Sequence, residues 1–361
     1  MAYLLIPNLH MCLKRDCSYV GRDESLWIKG FLIFFIVLGH NMLFTLPLAK
    51  WGVMSYLYTF HIQGFFLLPF LYGSKPLSKT TIIKQAVRLY WPFVIIATTI
   101  MLVFNIYTHF SNFSFINLIK LYTCCGLESL RTMCGYAALW FLPVMFAVVI
   151  LKDVYYYCNS VIKAIMIGLG LLTNIYMLAN YLIPLPSIPD YLFVPFSALR
   201  FLFLGVCCRK IMQLISDINP IYVFIISLIL FATGTILYYF EVSTKIIFGE
   251  NIWFVFLQLW MPIVFMTLIS SALKIWKVTS KSLLSRIGSY SLPIYIISPF
   301  MGYLLYFTMA KIGIAYWWIG LIVQFAIVAL CYLVSAYCIN GQVRRFLFPR
   351  DIADIKSCLK R

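Results

Sequence analysis

A lysine and a histidine in one apolar segment form the pair best suited to chemistry. The segment reads KGFLIFFIVLGHN, with Lys29 at its start and His40 eleven residues on. A helix rises about 1.5 Å per residue, so the two side chains stand about 16 Å apart on nearly the same face. An imidazole can act as a general base or as a nucleophile. The spacing therefore predicts a cation and a potentially reactive side chain on the same face of one helix. A histidine that only hydrogen-bonds a neighbouring helix is the alternative.

A second histidine and a lone arginine lie in other apolar segments. His61 lies in YTFHIQGFF, the next apolar segment, and Arg200 lies in PFSALRFLFLG with no other charge in that stretch. An ionisable side chain at membrane depth faces protein or a polar cavity. His61 can therefore line one cavity with His40, or make an interfacial hydrogen bond instead. Arg200 can stabilise a substrate anion, or bond structurally to helix carbonyls.

The elements that must position these residues are membrane-spanning helices. Of the 361 residues, 63% are hydrophobic and only 11% are charged, whereas a soluble domain is about 25% charged. The apolar runs are continuous, near the length of a spanning helix, and lack the alternation of barrel strands. We predict an all-α integral membrane protein with about ten spans. The predicted spans are 30–47, 55–73, 89–107, 137–151, 161–183, 191–208, 219–240, 252–273, 288–310 and 314–340.

The basic residues predict how these spans are oriented. With the N-terminus inside, 22 of the 28 Lys and Arg residues fall on the inner side and five in outer loops, leaving Arg200 within a span. Cytoplasmic loops carry such an excess, so both termini are predicted to be cytoplasmic. This distribution also explains the net charge of +17 without nucleic acid as a partner. The predicted domains are a cytoplasmic segment 1–29, a membrane domain 30–340 and a basic cytoplasmic tail 341–361.

Two further features complete the prediction from composition and spacing. In the long outer connection, 108–136, the apolar stretch from Phe113 to Tyr122 predicts a short helix along the membrane interface. The eleven cysteines are scattered without the spacing of a metal site, so no metal site is predicted.

Five segments resemble, in order, the motifs of the acyltransferase family 3 membrane proteins. The lysine-to-histidine segment resembles the family's first-span hallmark of a basic residue, ten intervening residues and a histidine. The other four segments are FHIQGFF, RLYWP, ALWFLPVMF and IGSYSLPIYII. The Lys29 form and the LWFLP segment resemble the branch that includes fucose 4-O-acetylase-like proteins.

The sequence departs from the family pattern at three places. The family usually has an aspartate three residues before the basic residue, where this chain has Leu26, with Asp23 and Glu24 displaced. Pro69 and Phe70 replace a usual Ser-Gly, and Ser298 stands where a histidine often follows the last motif. The resemblance therefore leaves room for a diverged specificity or a reduced activity.

The resemblance implies a bacterial inner-membrane acyltransferase. Its donor would be acyl-CoA from the cytoplasm, with acetyl-CoA expected, and its acceptor a hydroxyl of a cell-surface or lipid-linked sugar at the membrane. No permanently bound cofactor is expected. With this reaction in view, we assign His40 and His61 to catalysis and Lys29 and Arg88 to the donor phosphates. From their positions in the spans and loops, Arg200, Trp140 and Glu128 are candidates for the acceptor.

Ordinary roles stay open for several of these residues. Lys29 and Arg88 can be positive-inside anchors, and Trp140 can serve packing or an interfacial belt. Glu128 can be a solvated loop charge. Two other functions also fit the spans and the charge: a transporter or flippase for lipid-linked oligosaccharide, and a polysaccharide polymerase. The lysine-to-histidine spacing and the ordered motifs favour the acyltransferase, because neither alternative requires them.

Overall fold

A computed structural model describes residues 19–74, 76–109, 113–183, 185–248, 252–277, 279, 281–314, 316–339 and 341–359. All regular secondary structure within these ranges is helical, which confirms the predicted all-α class. Most of the predicted N-terminal segment, residues 1–18, lies outside the described residues.

The described helices follow one another along the chain with short connections. The first are α1 (Arg22–His40), α2 (Met42–Thr45), α3 (Val53–Tyr58), α4 (His61–Leu67), α5 (Lys79–Gln85), α6 (Trp91–Tyr107), α7 (Phe115–Thr123), α8 (Leu127–Cys134) and α9 (Phe141–Tyr157). The others are α10 (Ser160–Leu182), α11 (Asp190–Leu214), α12 (Pro220–Phe248), α13 (Ile252–Trp276), α14 (Leu283–Ser289), α15 (Ser291–Lys311), α16 (Trp317–Leu333), α17 (Gly341–Leu347) and α18 (Ile352–Leu359).

Eight helical stretches of the described chain are long and apolar enough to cross a membrane. They are Lys79–Tyr107, Ala137–Tyr157, Ser160–Asn180, Asp190–Leu214, Pro220–Phe240, Phe256–Trp276, Ser291–Lys311 and Trp317–Cys338. They match the third to the tenth predicted spans in order. The chain is therefore a multi-pass membrane protein, and the cytoplasmic location of its termini stays a prediction.

The first two predicted spans take a different form. The first begins earlier than predicted, as α1, and four of its residues are charged (Arg22, Asp23, Glu24 and Lys29). The second, predicted for 55–73, is divided between α3, α4 and a 3-10 turn at Leu68–Leu71. Pro69 has no N–H for a helical hydrogen bond, and the chain turns extended at Tyr72.

Arg209 of α11 donates hydrogen bonds to carbonyl groups at the end of this irregular second span. Its guanidinium donates to the carbonyl oxygens of Phe70, at 2.7 Å, and Tyr72, at 2.6 Å. The arginine is only 2% exposed and lies between the rings of Tyr19 and Tyr156. A buried carbonyl without a donor is costly, so this arginine stabilises the irregular second span.

Helix α1 packs closely against α14 and α15 because glycines stand where these helices cross it. A Cβ on Gly288 of α14 would lie 1.8 Å from the Leu26 carbonyl oxygen, so only glycine fits at this crossing. A Cβ on Gly302 of α15 would lie 2.1 Å from the His40 carbonyl oxygen. Close backbone approach at small residues is typical of membrane helix packing. Both ends of α1 are thereby held in place.

The helix predicted between Phe113 and Tyr122 is present as α7, close to its predicted bounds, and its position along the membrane interface stays a prediction. It is followed by α8, whose first turn is capped from a distance. Asp190 accepts hydrogen bonds from the backbone N–H groups of Glu128, at 3.1 Å, and Ser129, at 3.0 Å, and from the Ser129 hydroxyl. A carboxylate at a helix N-terminus is stabilising. This contact ties the outer connection to the start of α11.

Candidate functional site

Two cavities approach each other within the bundle. The first has a volume of about 1270 Å³, and we name it the aromatic cavity after its lining, Tyr58, Phe104, Tyr107, Tyr136, Trp140, Phe193, Phe196, Phe201, Phe300 and Tyr303. The second has a volume of about 730 Å³, and we name it the basic cavity after Arg22, Lys29, Arg88, Lys152, Arg344 and Arg350. No acidic residue lines either cavity in the described part of the chain.

One face of α1 connects the two cavities. Lys29, Ile33 and Ile36 line the basic cavity, and His40 lines the aromatic cavity. These positions are separated by four, three and four residues, so they form a single stripe along the helix. Lys29 therefore lines one cavity near the start of the helix, and His40 lines the other cavity at its end.

Aromatic side chains separate the two cavities. On α15, Tyr295 lines the basic cavity and Pro299, one turn later, lines the aromatic cavity. At the start of α9, Phe141 lines the basic cavity and its neighbour Trp140 lines the aromatic cavity. The rings of Phe141 and Tyr295 have centroids 4.9 Å apart. These rings therefore lie between the basic cavity and the aromatic cavity that His40 lines.

His40 is partly exposed at the aromatic cavity, and the described residues give its ring no hydrogen-bond partner. Its backbone is firmly placed. α1 ends here because Asn41 takes an extended conformation. The Asn41 amide donates to the Gly320 carbonyl oxygen at 2.8 Å and to Gln324 Oε1 at 3.1 Å. The imidazole is thus held on a rigid helix end while its nitrogens stay available.

His61 occupies a different environment from His40. It is 2% exposed, and its Nδ1 bonds to the carbonyl oxygen of Leu57. A carbonyl only accepts, so Nδ1 carries the proton and Nε2 is the basic nitrogen. Nε2 would lie 3.7 Å from a Cβ on Gly39, next to His40. The structure brings the two histidines close together, but His61 lies behind the cavity wall.

Arg200 lines the aromatic cavity and is held by neutral partners. Its guanidinium donates to Gln258 Oε1 at 2.7 Å and to Asn174 Oδ1 at 3.4 Å. The described residues offer it no carboxylate, so its positive charge is oriented but not neutralised. An uncompensated cation beside a cavity favours an anionic ligand.

The other two residues assigned to the acceptor differ in position. Trp140 lines the aromatic cavity and packs against Phe66 and Phe193. Glu128 is exposed on α8 and does not line either cavity, whereas Arg131, one turn later, lines the aromatic cavity. The structure therefore brings Trp140 to the site and leaves Glu128 outside it.

Cys134 also faces the aromatic cavity, from the end of α8. Burial raises the pKa of its thiol to about 12, and the thiol donates to the Ala97 carbonyl oxygen at 3.7 Å. Only a thiolate is a strong nucleophile, so this cysteine stays protonated and unreactive near neutral pH. His40 is left as the group suited to proton transfer at this end of the cavity.

Lys29 and Arg88 both line the basic cavity, and their binding of donor phosphates stays a prediction. Arg88 belongs to a π turn at Ala86–Tyr90, just before Pro92 of α6. Pro92 cannot donate to the carbonyl of residue 88, so the hydrogen-bond register widens there and re-aims the side chains of that turn. The described residues provide neither cation with a carboxylate partner. Lys152 is different, because it pairs with Asp153 at 3.2 Å.

Several residues of the site were not found from the sequence. Tyr58 and Tyr136 look like ordinary aromatic positions, and only the fold shows that they line the same cavity as His40. Asn41 looks like an ordinary polar position, and only the fold shows that it anchors the end of α1. The asparagine beside the motif histidine was the one available signal. Arg344 and Arg350 were grouped with the tail because their charge fits a cytoplasmic end equally well.

These features define a class: a multi-span membrane protein in which a basic and an aromatic cavity meet along one helix that bears a lysine and a histidine. The family model described as an acyltransferase domain, Acyl_transf_3, matches residues 25–336, most of the chain. The chain therefore belongs to acyltransferase family 3 and is an acyl-transfer enzyme of the membrane. No curated protein and no solved structure matches it.

Proposed function

We propose that the protein transfers the acetyl group of acetyl-CoA to a hydroxyl of a cell-surface or lipid-linked sugar, in the bacterial inner membrane. The observation that supports this assignment most is the stripe on α1, which runs from Lys29 in the basic cavity to His40 in the aromatic cavity. A donor with a phosphorylated head and a slender acyl-bearing arm fits such a path.

The basic cavity is the donor site in this proposal. Lys29 and Arg88 are cations without carboxylate partners among the described residues, so each can bind a phosphate of the nucleotide. The pantetheine arm then extends past Phe141 and Tyr295, and the rise of about 16 Å from Lys29 to His40 is of the order of its reach.

The aromatic cavity is the acceptor site. At about 1270 Å³ it exceeds the about 300–1,000 Å³ of ordinary small-molecule sites, which favours an extended acceptor over a single free sugar. Aromatic faces suit sugar rings and apolar chains, and Arg200 and Arg131 suit an anionic linkage. A lipid-linked saccharide combines these properties. Within the family, the fucose 4-O-acetylase-like branch is the assignment that the sequence motifs support.

His40 acts as the general base in the proposed reaction. Its free ring nitrogen takes the proton of the acceptor hydroxyl, while the hydroxyl oxygen attacks the thioester carbonyl carbon. The carbon–sulfur bond breaks, and the released coenzyme A thiolate takes up the proton from the imidazolium. The ester and free coenzyme A are the products. His61, one layer behind, is a positioning residue that supports the end of α1.

The test is acyl transfer in inverted membrane vesicles that hold wild-type protein, His40→Ala or His109→Ala at matched levels. Labelled acetyl-CoA is added to the exposed cytoplasmic face, and label in lipid-linked saccharide is measured. We expect His40→Ala to slow transfer by about 100-fold or more, the contribution of a positioned base. His109 is exposed at the end of α6 and lines neither cavity, so its variant should match wild type.

Three outcomes bear against the proposal. Unchanged transfer by His40→Ala would remove this enzymatic mechanism, and absence of transfer by the wild-type protein would favour the transporter or polymerase functions. Label that remains on wild-type protein when acceptor is omitted would replace the base mechanism with an acyl-histidine intermediate.

A further inference from the structure

The C-terminal segment, residues 341–359, contributes to the wall of the basic cavity. Arg344, Phe348, Pro349 and Arg350 all line it. The segment was predicted from its charges to be a cytoplasmic tail outside the membrane domain, and the family match ends before it, at residue 336. The basic cavity is therefore completed by a part of the chain that the family model does not include.

The segment is docked on the helix that carries Arg88. The indole Nε1–H of Trp91 donates to the Phe346 carbonyl oxygen at 2.8 Å. The Trp91 and Phe346 rings also meet edge to face, with centroids 5.8 Å apart. Trp91 follows Arg88 by three residues, so this contact fixes α17 beside the proposed donor site.

The guanidinium of Arg344 is oriented and has spare donors. Its central carbon lies over the Tyr290 ring, 4.4 Å from the ring centroid. One nitrogen donates to the Ser289 carbonyl oxygen at 3.4 Å. A guanidinium has five N–H donors, and the described residues use one of them and supply no carboxylate. A stacked arginine with unused donors at a cavity suits a phosphate.

We propose that Arg344, assisted by Arg350, is a phosphate-binding residue of the donor site, and that the C-terminal segment thereby completes the binding of acyl-CoA. This inference rests on the proposed function, which assigns the basic cavity to the nucleotide. Coenzyme A carries several phosphate groups, and two cations, Lys29 and Arg88, leave part of that charge uncompensated. Arg344 is a further cation of this cavity without an acidic partner among the described residues, and unlike Arg350 it is held in place by an aromatic ring.

Arg345 offers a matched control for this inference. It follows Arg344 on α17, is exposed and does not line the basic cavity. Replacing either arginine removes the same charge from the same helix. A difference between the two variants therefore reports on the position of the guanidinium, and general attraction of an anionic ligand to a basic surface affects both equally.

The experiment measures the dissociation constant of coenzyme A by calorimetry on purified full-length protein in detergent. We expect Arg344→Ala to raise it about tenfold, the effect of losing a charge-assisted phosphate contact. Arg344→Lys should raise it less, because the charge remains while the stacked fork is lost. Arg345→Ala should stay within about twofold of wild type. Thermal unfolding without ligand establishes that each variant is folded.

Each remaining outcome has a defined meaning. Unchanged affinity in Arg344→Ala, or equal loss in Arg344→Ala and Arg345→Ala, would overturn the role of the segment. If Lys29→Ala weakens binding and Arg344→Ala does not, the donor site stands and only this inference fails. If the wild-type protein does not bind coenzyme A, the proposed function itself fails. Should Arg344→Ala not fold, the Arg344→Lys result decides.

Discussion

The two cavities differ in the number of charged residues that line them. This difference suits one cavity to binding a polyanion and the other to the proposed reaction. The basic cavity presents six cations, of which Lys152 alone has an acidic partner among the described residues. The aromatic cavity presents ten aromatic side chains, two arginines and His40. A polyanionic ligand gains most from the first, and a largely apolar ligand with one charged group gains most from the second. His40, the proposed general base, lines the cavity that has fewer charged residues.

Two arginines on α11 repeat this contrast within one helix. Arg200 lines the aromatic cavity and is held by neutral amides, so its charge is available to a ligand. Arg209, nine residues later, is buried and bonded to backbone carbonyls, and it lines neither cavity. The same residue type is thus available to a ligand at one position and bonded to the backbone of the fold at the other. What each arginine contacts decides its role.

The largest effect is expected on stability, from Arg209→Ala. The substitution leaves the carbonyl groups of Phe70 and Tyr72 without their buried donor. We expect the free energy of unfolding to fall by about 2–4 kcal/mol, the cost of leaving such groups unsatisfied. Thermal unfolding of the detergent-purified protein measures it. Lys210→Ala is the control, because Lys210 is the next residue and is exposed. An unchanged unfolding transition with a raised KM for acyl-CoA would instead make Arg209 a donor residue.

The next effect is a reciprocal pair of kinetic changes. Lys29→Ala should raise the KM for acyl-CoA at least about tenfold, because it removes a charge-assisted contact worth roughly 1.5–3 kcal/mol. Arg200→Gln should raise the KM for the acceptor about tenfold for the same reason. Each variant should leave the other KM near its wild-type value, since the two residues line different cavities.

Full kinetics in inverted vesicles, with each substrate varied in turn, measure both constants. Arg88→Ala serves as a second donor variant and should behave like Lys29→Ala. If Arg200→Gln raises the KM for acyl-CoA and leaves that for the acceptor unchanged, the assignment of the cavities is reversed. If either variant changes both constants equally, the two cavities act as one site.

The sequence predicts the spans well where the apolar runs are long and uninterrupted. Eight helices match predicted spans because apolar length alone selects such segments. The second span was harder, because its apolar run conceals the break at Pro69 and the extended residue at Tyr72. The donor for the freed carbonyls, Arg209, lies about 140 residues away. The charge count groups Arg209 with the basic residues of the cytoplasmic side. Its burial depends on the tertiary fold, which the count does not show.

The candidate site was predicted in part, for a similar reason. The spacing of Lys29 and His40 determines a shared helix face, so local geometry alone predicts that both can face cavities. Glu128 and Arg131 are both charged residues of one outer loop, and nothing local distinguishes them. The placement of α8 in the fold does so, and its first turn is bonded to Asp190, about 60 residues later in the chain. Long-range contacts of this kind cannot be predicted from a single sequence.

The smallest expected effect compares Glu128→Gln with Arg131→Ala on α8. Arg131 lines the aromatic cavity but is exposed. An exposed charge contributes at most about 1 kcal/mol, so Arg131→Ala should raise the acceptor KM only about three- to fivefold. Glu128 lies outside the cavity, and glutamine keeps an oxygen for the Thr132 hydroxyl that donates to it at 3.5 Å. Glu128→Gln should therefore leave the acceptor KM within about twofold of wild type. The measurement is the same vesicle assay with acceptor varied at saturating acetyl-CoA. A larger rise for Glu128→Gln than for Arg131→Ala would restore Glu128 to the acceptor site and would mean that α8 turns when the acceptor binds.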